Sequence, residues 1–104
     1  MTAQARFSVG QLVHHLKFNY RGVIVDVDPQ FQGSEEWYGQ VALSRPPKDK
    51  PWYHVLVDGA AHMTYVAERH LESDNSCEPI VHPRVDTYFD RFEDCLYRSR
   101  RKIN

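Results

Sequence analysis

The segment from Tyr20 to Pro29, YRGVIVDVDP, constrains the fold of this chain more than any other part of its sequence. It is rich in β-branched residues, which favour strands, and it ends in Asp-Pro, which cannot continue a ladder of hydrogen bonds. A shorter run from Gly10 to Leu16, GQLVHHL, precedes it, and only Lys17 to Asn19 separate the two. Two strands with so short a connection predict a β-hairpin.

Alternation along the second strand predicts its core side. Successive side chains of a strand point to opposite faces. One face carries valines at positions 23, 25 and 27 and is predicted to face the core, with Ile24 buried from the other face through curvature. Gly10 and Gly22 flank the hairpin, where a small barrel needs a sharp bend or a close backbone approach.

Two further runs predict strands. WYHVLVDG, from Trp52 to Gly59, ends in an Asp-Gly turn signal, MTYVAE follows from Met63 to Glu68, and Leu71 closes a short fifth element. The connection over residues 30–51 is long, and within it SEEWY (34–38) predicts one helical turn capped by Ser34. Connections of this length are usually functional, partly helical or mobile, and this one is the first candidate for partner contact.

The hydrophobic period changes after the polar connection over residues 73–84. Val85, Phe89, Phe92 and Leu96 recur at i, i+4, i+7 and i+11, which is typical of an amphipathic helix. We therefore predict a helix over about residues 85–98 and a basic tail over 98–104. The predicted fold class is mainly β: one domain spanning 1–104, a small SH3-like barrel of about five strands over about 7–72, and the C-terminal amphipathic helix.

The charge of the chain limits how it can bind nucleic acid. Its 13 Lys and Arg residues face 14 Asp and Glu residues, for a net charge of -1. A protein that bound DNA across its whole surface would be basic, because neutralising phosphates supplies most non-specific affinity. Only a local patch is available, and the candidate DNA-binding residues are Arg45, Lys48, Lys50, Arg98, Arg100, Arg101 and Lys102.

No pattern in the sequence indicates catalysis or a metal site. His14 and His15 are adjacent in a strand and point to opposite faces, and the other histidines lack the spacing that places two rings on one helical face. No serine lies in a G-x-S-x-G motif, and no glycine-rich phosphate loop is present. We predict a non-enzyme without cofactor or metal, with a spatial histidine cluster left open. Cys77 and Cys95 lack C-x-x-C spacing and are predicted to be two reduced thiols.

Exposed aromatic rings are the best candidates for binding another protein. Trp37, Tyr38 and Trp52 lie in or beside the long connection and are the partner-binding candidates, because Trp and Tyr are common interface hot spots. No apolar run approaches the ~20 residues of a membrane span. The N-terminal sequence MTAQARFSVG also lacks the apolar stretch of a signal peptide. We therefore expect a cytoplasmic protein with no membrane partner.

Three segments, in this order and spacing, resemble the YccV-like family, also called the HspQ or hemimethylated-DNA-binding family. They are VGQLVHHLKFNYRGVIVDVDP, RPPKDKPWYHVLVDG and MTYVAERHLE, and the most specific pieces run from His15 to Pro29 and from Pro51 to Val55. The resemblance implies a small SH3-like barrel, non-enzymatic and cytosolic, that forms homo-oligomers. The sequence departs from the family after Leu71 and in its tail RSRRK.

The resemblance implies two activities. One is preferential binding of hemimethylated DNA, with an effect on replication-initiator expression. The other is a heat-shock role in which the protein promotes substrate degradation by the Lon ATP-dependent protease. An adaptor needs only an aromatic groove or a free sheet edge and makes no demand on net charge. We therefore predict the protease adaptor, with hemimethylated-DNA binding as the alternative.

Overall fold

The computed structural model describes residues 4–99, and a five-stranded antiparallel sheet forms the centre of the fold. The strand order is β4-β3-β2-β1-β5, and a separate two-stranded hairpin, β6–β7, follows near the C-terminus. The elements are β1 (Leu12–His15), β2 (Arg21–Asp28), α1 (Glu35–Val41), β3 (Trp52–Val57), β4 (Met63–Ala67), β5 (Leu71–Ser73), α2 (Val85–Tyr88), β6 (Arg91–Glu93) and β7 (Leu96–Arg98). The mainly β fold class is confirmed.

A β-bulge in β2 changes which of its residues share a face. The β2–β3 register shifts between Ile24 and Asp26. Ile24 and Val27 consequently pack on one side of the sheet, whereas Val23 and Val25 pack on the other. The predicted single valine face is therefore wrong, because an extra residue in one strand reverses the alternation beyond it.

The sheet has a hydrophobic core on each face. Adjacent residues of a strand point to opposite faces, and each of the strands β1, β2 and β3 has an adjacent pair that is buried on both faces. The pairs are Leu12 and Val13 in β1, Val23 and Ile24 in β2, and Val55 and Leu56 in β3. The inner core contains Phe7, Val13, Ile24, Tyr53, Val55, Val66 and Leu71. The outer core contains Leu12, Val23, Leu56, Ile80, Phe89 and Tyr97, so residues 80–97 cover the outer face.

The predicted helix over residues 85–98 is wrong beyond its first turn. It ends at Tyr88, and Phe89 has extended backbone angles. Asp94 and Cys95 both have positive φ, as the two central residues of a tight hairpin turn require, and they join β6 to β7. Phe89 still reaches the core, with 2% of its surface exposed, while Phe92 is half-buried beside it.

Long-range contacts hold the C-terminal hairpin against the sheet. Gly10, with φ of 93°, donates its N–H to Ile24 and accepts the N–H of Tyr97 at 2.9 Å. Cys77 and Cys95 form a disulfide with 4.7 Å between their Cα atoms. The prediction of two reduced thiols is therefore wrong, because folding brings together cysteines that are 18 residues apart in the sequence.

Candidate binding groove and basic patch

A groove of about 410 Å³ lies between the β1–β2 turn, the C-terminal end of α1 and strand β4. Its lining is mostly apolar, with a few polar side chains, which is the usual composition of a binding site. The lining includes His15, Lys17, Phe18, Val41, Leu43 and the whole of β4. We call this cavity the groove.

Helix α1 forms one wall of the groove and is fixed by local interactions. The Ser34 hydroxyl accepts the N–H of Trp37 at 3.0 Å, so the cap predicted at Ser34 is confirmed, and the helix continues to Val41. The Trp37 ring lies 5.9 Å from the Phe31 ring and 5.7 Å from the Tyr65 ring. These contacts attach α1 to β4.

Large apolar side chains project from the rim of the groove. Phe18 in the β1–β2 turn is 67% exposed, and Leu43, just after α1, is 75% exposed. Val41 and Met63 are also exposed and line the same groove. Sequence reasoning singled out none of these four residues, since they lie in three separate parts of the chain and only the fold brings them together.

Neutral histidines provide part of the polar lining. Nδ1 of His15 accepts the N–H groups of Lys17 and Phe18 at 3.1 and 3.0 Å. Burial lowers the pKa of His15 to about 4, with a further lowering by the nearby His70. Burial, followed by the charges of Arg69 and Lys17, also lowers the pKa of His70. Both rings are therefore uncharged near neutral pH.

The predicted partner-binding residues differ in accessibility. Trp37 and Tyr38 are half-buried, and Trp37 lines the groove. Trp52 is only 1% exposed, and its indole N–H donates to the carbonyl of Pro47 at 3.0 Å. A hydrogen bond and the surrounding rings hold Trp52 in a packing role, and it forms part of the inner wall of the groove.

Several predicted DNA-binding residues are already partnered. Lys48 lies 2.6 Å from Glu35 and 4.3 Å from the centre of the Tyr38 ring. Arg98, in β7, lies 3.9 Å from Asp94. Arg100, Arg101 and Lys102 fall outside the described residues. Arg45 and Lys50 are exposed in the loop after α1.

A basic patch forms where this loop meets the N-terminal segment and the end of β4. A cavity of about 250 Å³ is lined by Arg6, Lys50 and Arg69, with Glu68 as its acidic member. The Arg69 guanidinium donates to the carbonyl of Ser44. Arg45 does not line this cavity, and its guanidinium lies 5.6 Å from the centre of the Tyr38 ring. We call Arg6, Lys50 and Arg69 the basic patch. The sequence did not indicate Arg6 or Arg69, because both are distant from the loop along the chain.

One cluster has ligand types suited to a metal ion. Asp26, Asp28 and His54 each offer a ligand atom, and these atoms lie within 4.8 Å of one another. Hydrogen bonds account for this arrangement: Asp28 Oδ2 accepts from the Tyr65 hydroxyl at 2.7 Å and lies 3.2 Å from His54 Nε2. Burial, and then the hydrogen bond to Asp28, raises the pKa of Tyr65, so its hydroxyl stays protonated and donates.

The family comparison agrees with the fold and with the sequence motifs. Among residues 4–99, no helix is both long enough and apolar enough to cross a membrane. The family model described as hemimethylated DNA-binding protein YccV like matches residues 5–95 and includes both strand motifs, the groove and most of the C-terminal hairpin. This chain therefore belongs to the YccV-like family.

Proposed function

We propose that this protein is a non-enzymatic adaptor that binds client proteins in the groove and promotes their degradation by a Lon-type ATP-dependent protease. The observation that supports this proposal best is the group of exposed apolar side chains around the groove, above all Phe18 and Leu43. Clustered apolar surface rimmed by polar residues is typical of protein-interaction sites on soluble proteins. The implied heat-shock role fits such a surface, because unfolding clients expose apolar segments.

The polar groups of the groove favour binding over catalysis. Ser44 Oγ lies 3.3 Å from His70 Nε2, which is the geometry of a nucleophile beside a base. A working pair of this kind needs a third group that orients the histidine. Among the described residues no carboxylate is hydrogen-bonded to His70. The pair therefore supports a polar contact with a bound segment rather than a reaction.

A degradation assay tests the adaptor function. The initial rate at which a purified Lon-type protease degrades an unfolded substrate is measured with and without this protein. We expect the protein to raise the rate and Leu43→Lys to remove the increase, because a lysine replaces the apolar contact in the groove. Val81→Lys is the matched control: Val81 is 73% exposed and lies outside the groove.

The assay distinguishes the role of the groove from the adaptor function as a whole. Equal stimulation by Leu43→Lys and the parent protein would exclude the groove from the mechanism. No stimulation by the parent protein would contradict the adaptor function itself. Homo-oligomer formation stays a prediction, and sedimentation velocity on the same samples measures it.

Hemimethylated-DNA binding is the second candidate function, and the basic patch favours it. The family description names this activity, and the patch places three cations around one cavity. Binding of a labelled hemimethylated duplex, compared with fully methylated and unmethylated duplexes at several salt concentrations, tests it. The Lys50→Gln, Arg69→Gln double variant should reduce the slope of log K against log salt by about 1 for each phosphate that is no longer neutralised. Lys48→Gln is the control, since Lys48 is paired with Glu35.

A further inference from the structure

Strand β4 is an edge strand of the sheet with unpaired backbone groups. It pairs with β3 on one side, and no described strand lies on its other side. The Val57 N–H donates to the carbonyl of His62, and the Glu68 N–H donates to that of Pro51. Hydrogen-bonded pairs alternate along an antiparallel ladder, so positions 62, 64, 66 and 68 bond to β3. The N–H and C=O groups of Met63, Tyr65 and Ala67 therefore point away from β3.

The groove runs along this edge. All five consecutive residues of β4, Met63–Ala67, line it. Side chains of a strand alternate between faces, so a cavity over one face would contact only every second residue. Contact with every residue places the groove beside the strand, where the outward N–H and C=O groups are. Among residues 4–99, nothing forms hydrogen bonds with these groups of Met63 and Tyr65. Ala67 differs, because it precedes the 3-10 helix Glu68–His70, whose first hydrogen bond its C=O accepts, and it is only 3% exposed.

The sides of the groove define what can lie against β4. Phe18 stands on one side, and Val41 and Leu43 stand on the other, so the flanking surface is apolar. Lys17 is the one charged residue among the described lining residues, since His15 and His70 are neutral. No aspartate or glutamate of the described chain lines the groove. An apolar segment with an acidic residue at one end complements this surface.

We propose that the groove binds an extended, aliphatic segment of a client protein that adds to the sheet as a strand beside β4, with an acidic residue near Lys17. This inference rests on the proposed adaptor function and specifies the client feature that is recognised. Main-chain hydrogen bonds to Met63 and Tyr65 provide affinity with little dependence on sequence, and the apolar sides select aliphatic side chains. Such segments are buried in folded proteins and become available when a client unfolds.

A peptide-binding measurement on the whole protein tests strand addition directly. The probe is a fluorescein-labelled peptide of about eight residues, an ordinary strand length, with alternating valine and serine and aspartates at one end. We expect saturable binding by fluorescence anisotropy. The same peptide with alternate backbone amides N-methylated should bind at least about tenfold more weakly, since it cannot donate to β4. Replacing its aspartates by lysines should also weaken binding.

Hydrogen exchange identifies where the peptide lies. On binding, the amides of Met63 and Tyr65 should exchange more slowly, because they gain hydrogen-bond partners. Leu43→Lys should weaken peptide binding, and the matched control Val81→Lys should not. A Met63→Lys variant, which places a charge on the edge strand itself, should weaken it as well.

The outcomes separate this inference from the adaptor function. Equal binding of the N-methylated peptide, or unchanged exchange along β4, would overturn strand addition even if the protease were stimulated. Binding with protection of the Met63 and Tyr65 amides would support strand addition even if the protease were not stimulated. If sedimentation showed a dimer whose β4 amides were already protected, and the peptide did not bind, the client segment would be the wrong occupant.

Discussion

Acid should destabilise this protein through His15. The ring is 3% exposed and is packed among Phe18, Tyr20 and His70, with ring centroids 4.9, 5.0 and 5.6 Å away. Its Nδ1 accepts two backbone N–H groups, which holds the β1–β2 turn beside the groove. Protonation of His15 therefore places a charge in an apolar site and removes an acceptor that the turn uses.

The pKa of His15 determines the size and the sign of this effect. It is about 4 in the folded protein, whereas the ordinary value of 6.5 applies to the unfolded chain. Between these values the unfolded chain binds a proton that the folded protein does not, so stability falls as the pH falls. The full difference corresponds to about 3 kcal/mol, at about 1.36 kcal/mol per pH unit. Most of this, about 2 to 3 kcal/mol, is lost between about pH 8 and about pH 4.5.

Two neighbouring histidines modify the pH profile. The pKa of His70 is lowered, mainly by burial, so His70 acts in the same direction and over the same range. Hydrogen bonds to Asn19 and then Glu72 raise the pKa of His14. His14 therefore contributes stability that is fully present below pH 6.5 and is lost as the pH rises through its folded pKa.

Asp74 acts at lower pH than the histidines. Burial acts to raise its pKa, but hydrogen bonds from Ser76 and Arg21 outweigh burial, so the pKa lies below 3.8. The contribution of Asp74 to stability is present above pH 3.8 and is lost as the pH falls through the pKa of Asp74 in the folded protein. Measurements that stop at about pH 4.5 therefore report on the histidines, with His14 acting in the opposite direction to His15 and His70.

The assay is urea unfolding at about pH 8 and about pH 4.5, with His15→Asn as the comparison. The Oδ1 of asparagine occupies nearly the same position as Nδ1 and can accept the same turn N–H groups. The variant should be less stable at about pH 8, because the packing of neighbouring rings against the imidazole is removed. Its free energy of unfolding should change with pH by about 2 to 3 kcal/mol less than that of the parent. An equal change in both proteins would refute the role assigned to His15.

Three further predictions concern stability and are measured by denaturant unfolding. Phe89→Ala should lower the free energy of unfolding by about 3 to 5 kcal/mol, and Phe92→Ala should lower it less because Phe92 is half-buried. A larger loss for Phe92→Ala would contradict the place of Phe89 in the outer core. Cys95→Ser should cost about 3 kcal/mol, the value for a closed loop of this length, and should make stability insensitive to reductant. Arg21→Met should cost about 1 to 3 kcal/mol, since Asp74 loses the guanidinium 2.9 Å away; an unchanged midpoint would refute this.

Strands, turns and helix caps that depend on residues close together in the sequence could be predicted from the sequence alone. β2 formed where β-branched residues cluster, and β3 ended before Asp58-Gly59, where Gly59 has a φ of 78°. The cap at Ser34 was predictable because its hydroxyl bonds a backbone N–H only three residues away. Backbone preferences and short-range hydrogen bonds decide such features, so the order of residues is sufficient to predict them.

The C-terminal region shows where local pattern fails. The spacing of Phe89, Phe92 and Leu96 suits a helix. In the structure, residues 91–98 form a hairpin instead, and Phe89 and Phe92 pack against the outer face of the sheet. No Asn-Gly or Asp-Gly signal marks its turn, which Asp94 and Cys95 form instead. Only the folded sheet, with an uncovered apolar face and Cys77 within reach of Cys95, favours the hairpin over the helix.

The binding features depend on contacts between distant parts of the chain. Trp37 was predictable as a candidate from its residue type, but the groove combines a turn, a helix end and an edge strand from three parts of the chain. The low pKa of His15 follows from burial, and the basic patch joins Arg6 to Arg69 across most of the sequence. Cavities, burial and charge clusters are set by which distant residues become neighbours, and strand order and register decide that only when the whole chain folds.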